Sequence, residues 1–176
     1  LAIVRERERG SIQQILVAPV RPAAFILGKA IPYGVLAYLE LLIVLAVGLL
    51  WFRVPMKGSL PFLLLASVLY VFCTVGIGLL ISTVTRSQVV AMLLALVATL
   101  MPSFLFSGFI FPVYSMPPSF QTTSLGFPAR YFTEIARGIA LKAAGPGDLW
   151  PQMAALALYT TAVLGLAASR FHRRMG

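Results

Sequence analysis

Four long apolar runs, at about residues 31–52, 61–82, 89–111 and 149–170, decide what this chain can fold into. Each is 22 or 23 residues long, or about 33 Å of helix at ~1.5 Å per residue, close to the ~30 Å hydrocarbon core of a bilayer. Backbone N–H and C=O groups at that depth find no water, so every one needs a partner within its own segment. The runs are therefore predicted to be helices. Composition agrees: 60% of the residues are hydrophobic and 11% charged, where a soluble domain has roughly 25% charged. The expected fold is an all-α integral membrane protein with four transmembrane helices in a single transmembrane domain. The first helix is expected to start ahead of its apolar run, with Pro22 at its first position, a kink at Pro32, and Lys29 snorkelling to the headgroups.

The charges lie between the runs. Four spans put both ends of the chain on one side, together with Arg5, Arg7, Arg9, Arg21, Lys29, Arg86, Arg170, Arg173 and Arg174. The other side holds Arg53, Lys57, Arg130, Arg137 and Lys142. Cytoplasmic loops carry the excess of Lys and Arg, so both termini and Arg86 are expected in the cytoplasm, with Lys57 and Lys142 outside. The net charge of +9 belongs to membrane flanks rather than to one folded basic face, which argues against a nucleic-acid partner. Cys73 is the only cysteine and lies within an apolar run, so no disulfide framework forms within the chain. One His, His172 in a basic tail, and one Cys do not make a metal site. No GxxxxGK[ST] sequence is present, and no Ser has a His and a carboxylate arranged around it. No catalytic residue and no cofactor are therefore assigned to this chain. The N-terminus is a charged run rather than a signal peptide. The chain opens abruptly on Leu1, and the expectation is a fragment preceded by further sequence.

Three segments carry candidate function. In the first, Gly10 closes the charged run Arg5-Glu6-Arg7-Glu8-Arg9, Ser11 reads as an N-cap, and Gln14 completes a capping box. Ile12, Ile15 and Leu16 share one face, and Pro19 stops the helix after about two turns. Such an amphipathic cytoplasmic helix, Ser11–Val17, suits either the lipid interface or the groove of a partner protein. In the second, residues 112–148 are too apolar for a solvated loop. Pro117-Pro118 is expected to open one short helix and Pro128 another. In the latter, Phe132, Ile135 and Ile139 fall on one face and Arg130, Glu134 and Arg137 on another. Short helices dipping into the outer leaflet fit this pattern. The Arg–Glu–Arg set reads either as a surface network of little energetic weight or as a brace holding re-entrant helices over an exit. The third is Glu40, near the middle of the first span, where a charge costs ~2.5–3.5 kcal/mol on insertion scales. No cation in another span matches its depth, so it is either a protonated packing residue or a residue lining a substrate path. Ladders of small residues at i, i+4 (Thr74, Gly78, Ser82; Ala91, Ala95, Thr99, Ser103; Ala157, Thr161, Gly165, Ser169) suit close helix packing or a subunit seam.

The run RERERGSIQQILVAPVRPAAFILGK resembles the cytoplasmic coupling segment of bacterial ABC-2 type exporter permeases. The likeness continues in order through LLISTVTRSQVVAM, SGFIFPVYSMP and FPARYFTEIARGI. Where the family usually has Asn before the Pro of the last motif, this chain has Phe127, which removes an Asn-dependent cap. The resemblance covers essentially the whole chain and is strongest to the multidrug-efflux branch. It implies a six-span permease from which this chain lacks the first span, an extracytoplasmic domain and the second span. It further implies a homo- or heterodimer in the bacterial inner membrane. Each subunit would be docked to a cytoplasmic ABC ATPase that holds the ATP and Mg, with membrane lipid and a periplasmic adaptor as further partners. Residue by residue, Ser11–Val17 becomes the coupling helix with Arg5–Arg9 beside the ATPase, and Pro117–Lys142 the outer re-entrant pair. The function expected is the membrane subunit of an ATP-driven exporter of a drug-like, lipid or other amphipathic substrate. The alternatives are a proton-coupled secondary transporter and an intramembrane enzyme, each using Glu40.

Overall fold

The computed structural model describes residues 22–85 and 87–173. The candidate coupling residues Arg5, Glu6, Arg7, Glu8, Arg9, Ser11, Ile12, Gln14, Ile15 and Leu16 lie outside the described residues, as does Arg86. Among the described residues all the regular secondary structure is helical. The elements are α1 (Pro22–Leu50), α2 (Leu60–Val84), α3 (Gln88–Ala95), a π-helical turn (Leu96–Leu100), α4 (Met101–Phe106), a 3₁₀ turn (Val113–Ser115), α5 (Pro118–Ser124), α6 (Pro128–Lys142) and α7 (Trp150–Arg173). Four stretches are long and apolar enough to cross a membrane: Ala30–Leu50, Leu60–Val84, Gln88–Phe106 and Trp150–Arg170.

Helix α2 is the centre of the bundle and pairs most extensively with α7. Without a hydrophobic force between helices in lipid, close approach depends on small residues and interhelical hydrogen bonds. Both are present. A Cβ on Gly76 would sit 3.0 Å from Val163 Cγ1 and 3.1 Å from Leu164 Cδ2, so only glycine lets α7 come this near. One turn closer to Trp150, the Thr160 hydroxyl is shared between Leu156 O of its own helix at 2.8 Å and Leu69 O across the interface at 3.0 Å. Helix α1 runs unbroken through Pro32 and lays Gly34, Tyr38 and Leu39 against Val68, Val71 and Phe72 of α2.

Two span ends fall short of the sequence expectation. The first helix stops at Leu50 rather than 52, where Trp51 and Phe52 N–H groups both turn back to Val47 O. The third stops at Phe106 rather than 111: Ser107 N–H closes on Ser103 O, and Gly108 takes φ +79, a left-handed conformation that costs glycine little. The same span widens to i→i+5 bonding at Leu96–Leu100. Pro102 explains the widening, since it has no N–H and its ring crowds the carbonyl four residues back. A periodicity reading, which counts apolar residues, passes over both interruptions.

Of the small-residue ladders, Ala91, Ala95, Thr99 and Ser103 form the most buried face of the third span, the ordinary packing role. Thr161, Gly165 and Ser169 are exposed among the described residues. Helix α7 buries Met153, Leu156, Thr160 and Ala167 instead.

Candidate functional site: the α5–α6 hairpin and its polar braces

Helices α5 and α6 form a hairpin between the third and fourth spans. Pro118 and Pro128 each stand at the first helical turn, where the missing N–H has no intrahelical partner to lose. Phe127, at the cap position of α6, makes no side-chain cap. Helix α6 is strongly two-faced. Ile135 and Ile139 are fully buried among Leu63 and Ala66 of α2, Leu149 just ahead of α7, and Met153 and Leu156 of α7. Phe132 is partly buried and stacks on Tyr70 with ring centroids 4.4 Å apart.

The end of α6 is closed by neighbouring backbone. Ala143, at φ 54, turns the chain out of the helix, and Ala144 N–H donates back to Gly138 O at 3.0 Å. Helix ends leave their last carbonyls unpaired. Here the loop between α1 and α2 supplies the donors: Gly58 N–H to Ile139 O at 2.9 Å and Lys57 N–H to Ala140 O at 3.4 Å. A Cβ on Gly58 would lie 2.9 Å from Ile139 O, so the approach depends on glycine.

The depth of the hairpin follows from its contacts. Exposed Trp51, Phe52, Tyr114 and Trp150 sit at the ends of α1, the third span and α7 on one side of the bundle, the arrangement of an interfacial aromatic belt. Leu125, in the turn between α5 and α6, accepts from Tyr159 Oη at 2.8 Å and Tyr131 Oη at 3.0 Å. Tyr159 is nine residues into α7 from Trp150, about 14 Å along the helix. The hairpin turn therefore lies beside the middle of α7, and α6 runs from there to the Gly58 loop.

Arg130, Glu134 and Arg137 of α6 do not act as one network. Arg130 Nε pairs with Glu134 Oε1 at 3.1 Å, with the side chains 18% and 35% exposed. Arg130 Nη1 also donates to Gln121 O at 3.1 Å and to buried Ser124 Oγ, which ties α6 to α5. Gln152 Nε2 of α7 donates to Glu134 Oε2 at 3.4 Å. Arg137 turns elsewhere: Nη1 donates to Gly108 O at 2.7 Å and Nη2 to Phe109 O at 2.9 Å, the carbonyls freed where the third span ends. The set thus makes two braces, one within the hairpin and on to α7, the other to the third span. Gln121, Ser124 and Gln152 were not foreseen from sequence, because their roles depend on which helices become neighbours. Between the third span and α2/α6 lies a cleft of about 270 Å³, bounded by Tyr70, Ala129 and Thr133 on one side and Ser103, Phe104 and Ser107 on the other.

Glu40 sits midway along Ala30–Leu50. It is exposed, on the side of α1 away from buried Ala30 and Gly34, and no hydrogen bond or ion pair joins it to another described residue. It does not approach Arg130 or the hairpin. Among the described residues no group of three or more His, Cys, Asp or Glu could hold a metal ion.

The sequence of this helical bundle matches the family model described as ABC-2 type transporter over residues 1–141. The chain belongs to the ABC-2 type transporter family. Curated ABC-2 relatives include two of Escherichia coli (strain K12) named "Probable multidrug ABC transporter permease". One, YbhR, is 37% identical over 174 residues, covering 99% of this chain and 47% of the relative. The other, YbhS, is 35% identical over 175 residues, covering 99% and 46%. "Inner membrane transport permease YhhJ" of the same strain is 34% identical over 178 residues, covering 99% of this chain and 47% of the relative. The chain thus spans about half the length of these curated relatives. No solved structure matches it. Family membership together with four apolar spans makes this a multi-pass membrane protein of an ABC transporter system.

Proposed function

We propose that the protein is the permease subunit of an ATP-driven exporter, moving a drug-like, lipid or other amphipathic substrate out of the cytoplasm or the inner leaflet. ATP and Mg would be held by a separate cytoplasmic ABC ATPase, and transport would use a second permease subunit, the same or different. The observation that carries this reading is the ABC-2 match across residues 1–141, joined to relatives whose names include multidrug permeases. The match takes in the segment Arg5–Leu16, the proposed contact with the ATPase. The sequence pattern there is that of a capped, two-turn helix, whose face would carry only Ile12, Ile15 and Leu16; three aliphatic side chains, worth ~1.5–3 kcal/mol each when fully buried, would be a small anchor in lipid, and the family likeness favours a protein groove. In this reading both termini are cytoplasmic in the inner membrane, and α5–α6 is a re-entrant pair in the outer leaflet. The depth of Leu125 beside Tyr159 supports that placement. Arg130 and Glu134 then meet each other's charge where lipid would not, and together with Arg137 they brace the outer end of the path.

Inverted membrane vesicles carrying the full-length protein and its ATPase test the direction of transport. The expected result is uptake of an amphipathic fluorescent dye on addition of ATP, abolished by a hydrolysis-dead ATPase. Uptake driven by a proton gradient without the ATPase, and lost on Glu40→Gln, would instead support a proton-coupled transporter.

A further inference from the structure

The third span is held to the rest of the chain in an uneven way. Only 6% of its apolar window is buried, against 39% for Leu60–Val84. Its inner part packs through buried Ala91. Its outer part borders the 270 Å³ cleft and meets the rest of the chain through the hairpin helices α5 and α6. Between the two lie the π turn, Leu96–Leu100, and Pro102, where the regular ladder of hydrogen bonds is interrupted and a helix bends at least cost. Beyond the cleft the outer end is joined by Arg137 to Gly108 O and Phe109 O, and Phe106 stacks on Phe127 and on Phe120, centroids 5.2 and 5.9 Å apart. Stacked rings slide with little change in energy. Two charge-assisted hydrogen bonds from one rigid guanidinium to consecutive carbonyls do not. In lipid, interhelical hydrogen bonds act beside van der Waals packing, and here they are the directional part of the contact.

From this we infer that Arg137 is a latch that holds the outer half of the third span over the cleft, and that this half swings about the π turn when the latch opens. Both carbonyls are available because the span ends in a glycine turn. Gly108 at φ +79 presents its oxygen to Arg137, and a Cβ there would meet Val113 Cγ2 at 3.0 Å. Opening would widen the cleft between Ser103, Phe104 and Ser107 on the moving side and Tyr70, Ala129 and Thr133 on the fixed side. The inference deepens the export reading, which it uses only to give the motion a purpose.

Pulsed electron–electron distance measurements on the full-length protein in lipid nanodiscs test it. Spin labels replace exposed residues in a Cys73→Ser background. The outer pair Leu65 and Leu105 reports the arm, Leu65 and Leu93 report the span below the π turn, and Leu65 and Leu158 report the α2–α7 core. Arg137→Met keeps the stem and removes the donors. The expected result is that it lengthens and broadens the outer distance by several ångströms and leaves the other two unchanged. Arg137→Lys, which supplies a point charge but no fork, gives an intermediate distribution. An outer distance unchanged in Arg137→Met overturns the latch. Equal broadening of the Leu65–Leu93 pair overturns the hinge at the π turn. The distances are read without nucleotide or substrate, so a failure of the export reading does not alter them.

Discussion

Gly58→Ala tests how the outer hairpin is seated. The added methyl would lie 2.9 Å from Ile139 O and 3.2 Å from Ile139 Cα. Both are backbone atoms in the last turns of α6, so no side chain can rotate away to relieve the clash. The loop must retreat, and the bonds from Gly58 to Ile139 O and from Lys57 to Ala140 O stretch with it. Overpacking of this kind costs about 1–3 kcal/mol, and a hydrogen bond contributes about 1 kcal/mol net. The loss should thus total about 2–4 kcal/mol. For a chain of this size each kcal/mol moves the melting temperature by about 2–4 °C, so the midpoint should fall by roughly 5–15 °C. Cys73 is the only cysteine and is fully buried, which makes a thiol-reactive dye a direct reporter of unpacking in detergent. Gly147→Ala is the control, because a Cβ there meets nothing within 4 Å, and it should melt with wild type. If Gly58→Ala also melts with wild type, the loop does not seat α6 and the account of its C-terminal end is wrong.

Further outcomes follow from the same contacts. Glu40→Gln should insert and melt at least as well as wild type in detergent, because no described residue pairs with the carboxylate; degradation of the variant, or export that survives only with a carboxylate at 40, would contradict a packing role. Arg130→Met should destabilise the protein by about 1–3 kcal/mol for a partly screened pair and lower the thiol-dye melting temperature more than Glu134→Gln, since Arg130 also holds Gln121 O and Ser124; equal losses would show that only the ion pair matters. In a Cys73→Ser background, cysteines at 57 and 142 should react with an impermeant reagent outside intact cells and a cysteine at 86 should not; outside labelling at 86 would invert the topology.

Most of the architecture was legible because lipid forces it. Four runs of 22 or 23 apolar residues leave few alternatives, and Pro118 and Pro128 mark the hairpin helices as helix starts. The amphipathic face of α6 was equally plain, and Ile135 and Ile139 lie at its buried centre. What could not be read depends on neighbours. Arg130, Glu134 and Arg137 share a helical face, yet Arg137 parts from the other two because the carbonyls of Gly108 and Phe109 come within its reach. Nothing local to residues 130–137 encodes a turn 28 residues upstream. The π turn is written in Pro102, a signal that a count of apolar residues misses. The likeness of RERERGSIQQIL to a coupling segment came from family pattern. From spacing alone the same helix suited lipid and protein equally.

The claim at the centre of this account is that the protein takes its energy from a separate ATPase through Ser11–Val17, and pull-down of the ATPase by the tagged full-length permease tests it most directly. Ile15→Asp places an unpaired charge in the proposed groove, which is strongly unfavourable when buried. Ser11→Ala only removes a cap, costing about 1 kcal/mol. The account predicts that Ile15→Asp inserts normally but recovers no ATPase and exports nothing, while Ser11→Ala retains most of both. Recovery of as much ATPase by Ile15→Asp as by wild type, with export intact, would contradict it.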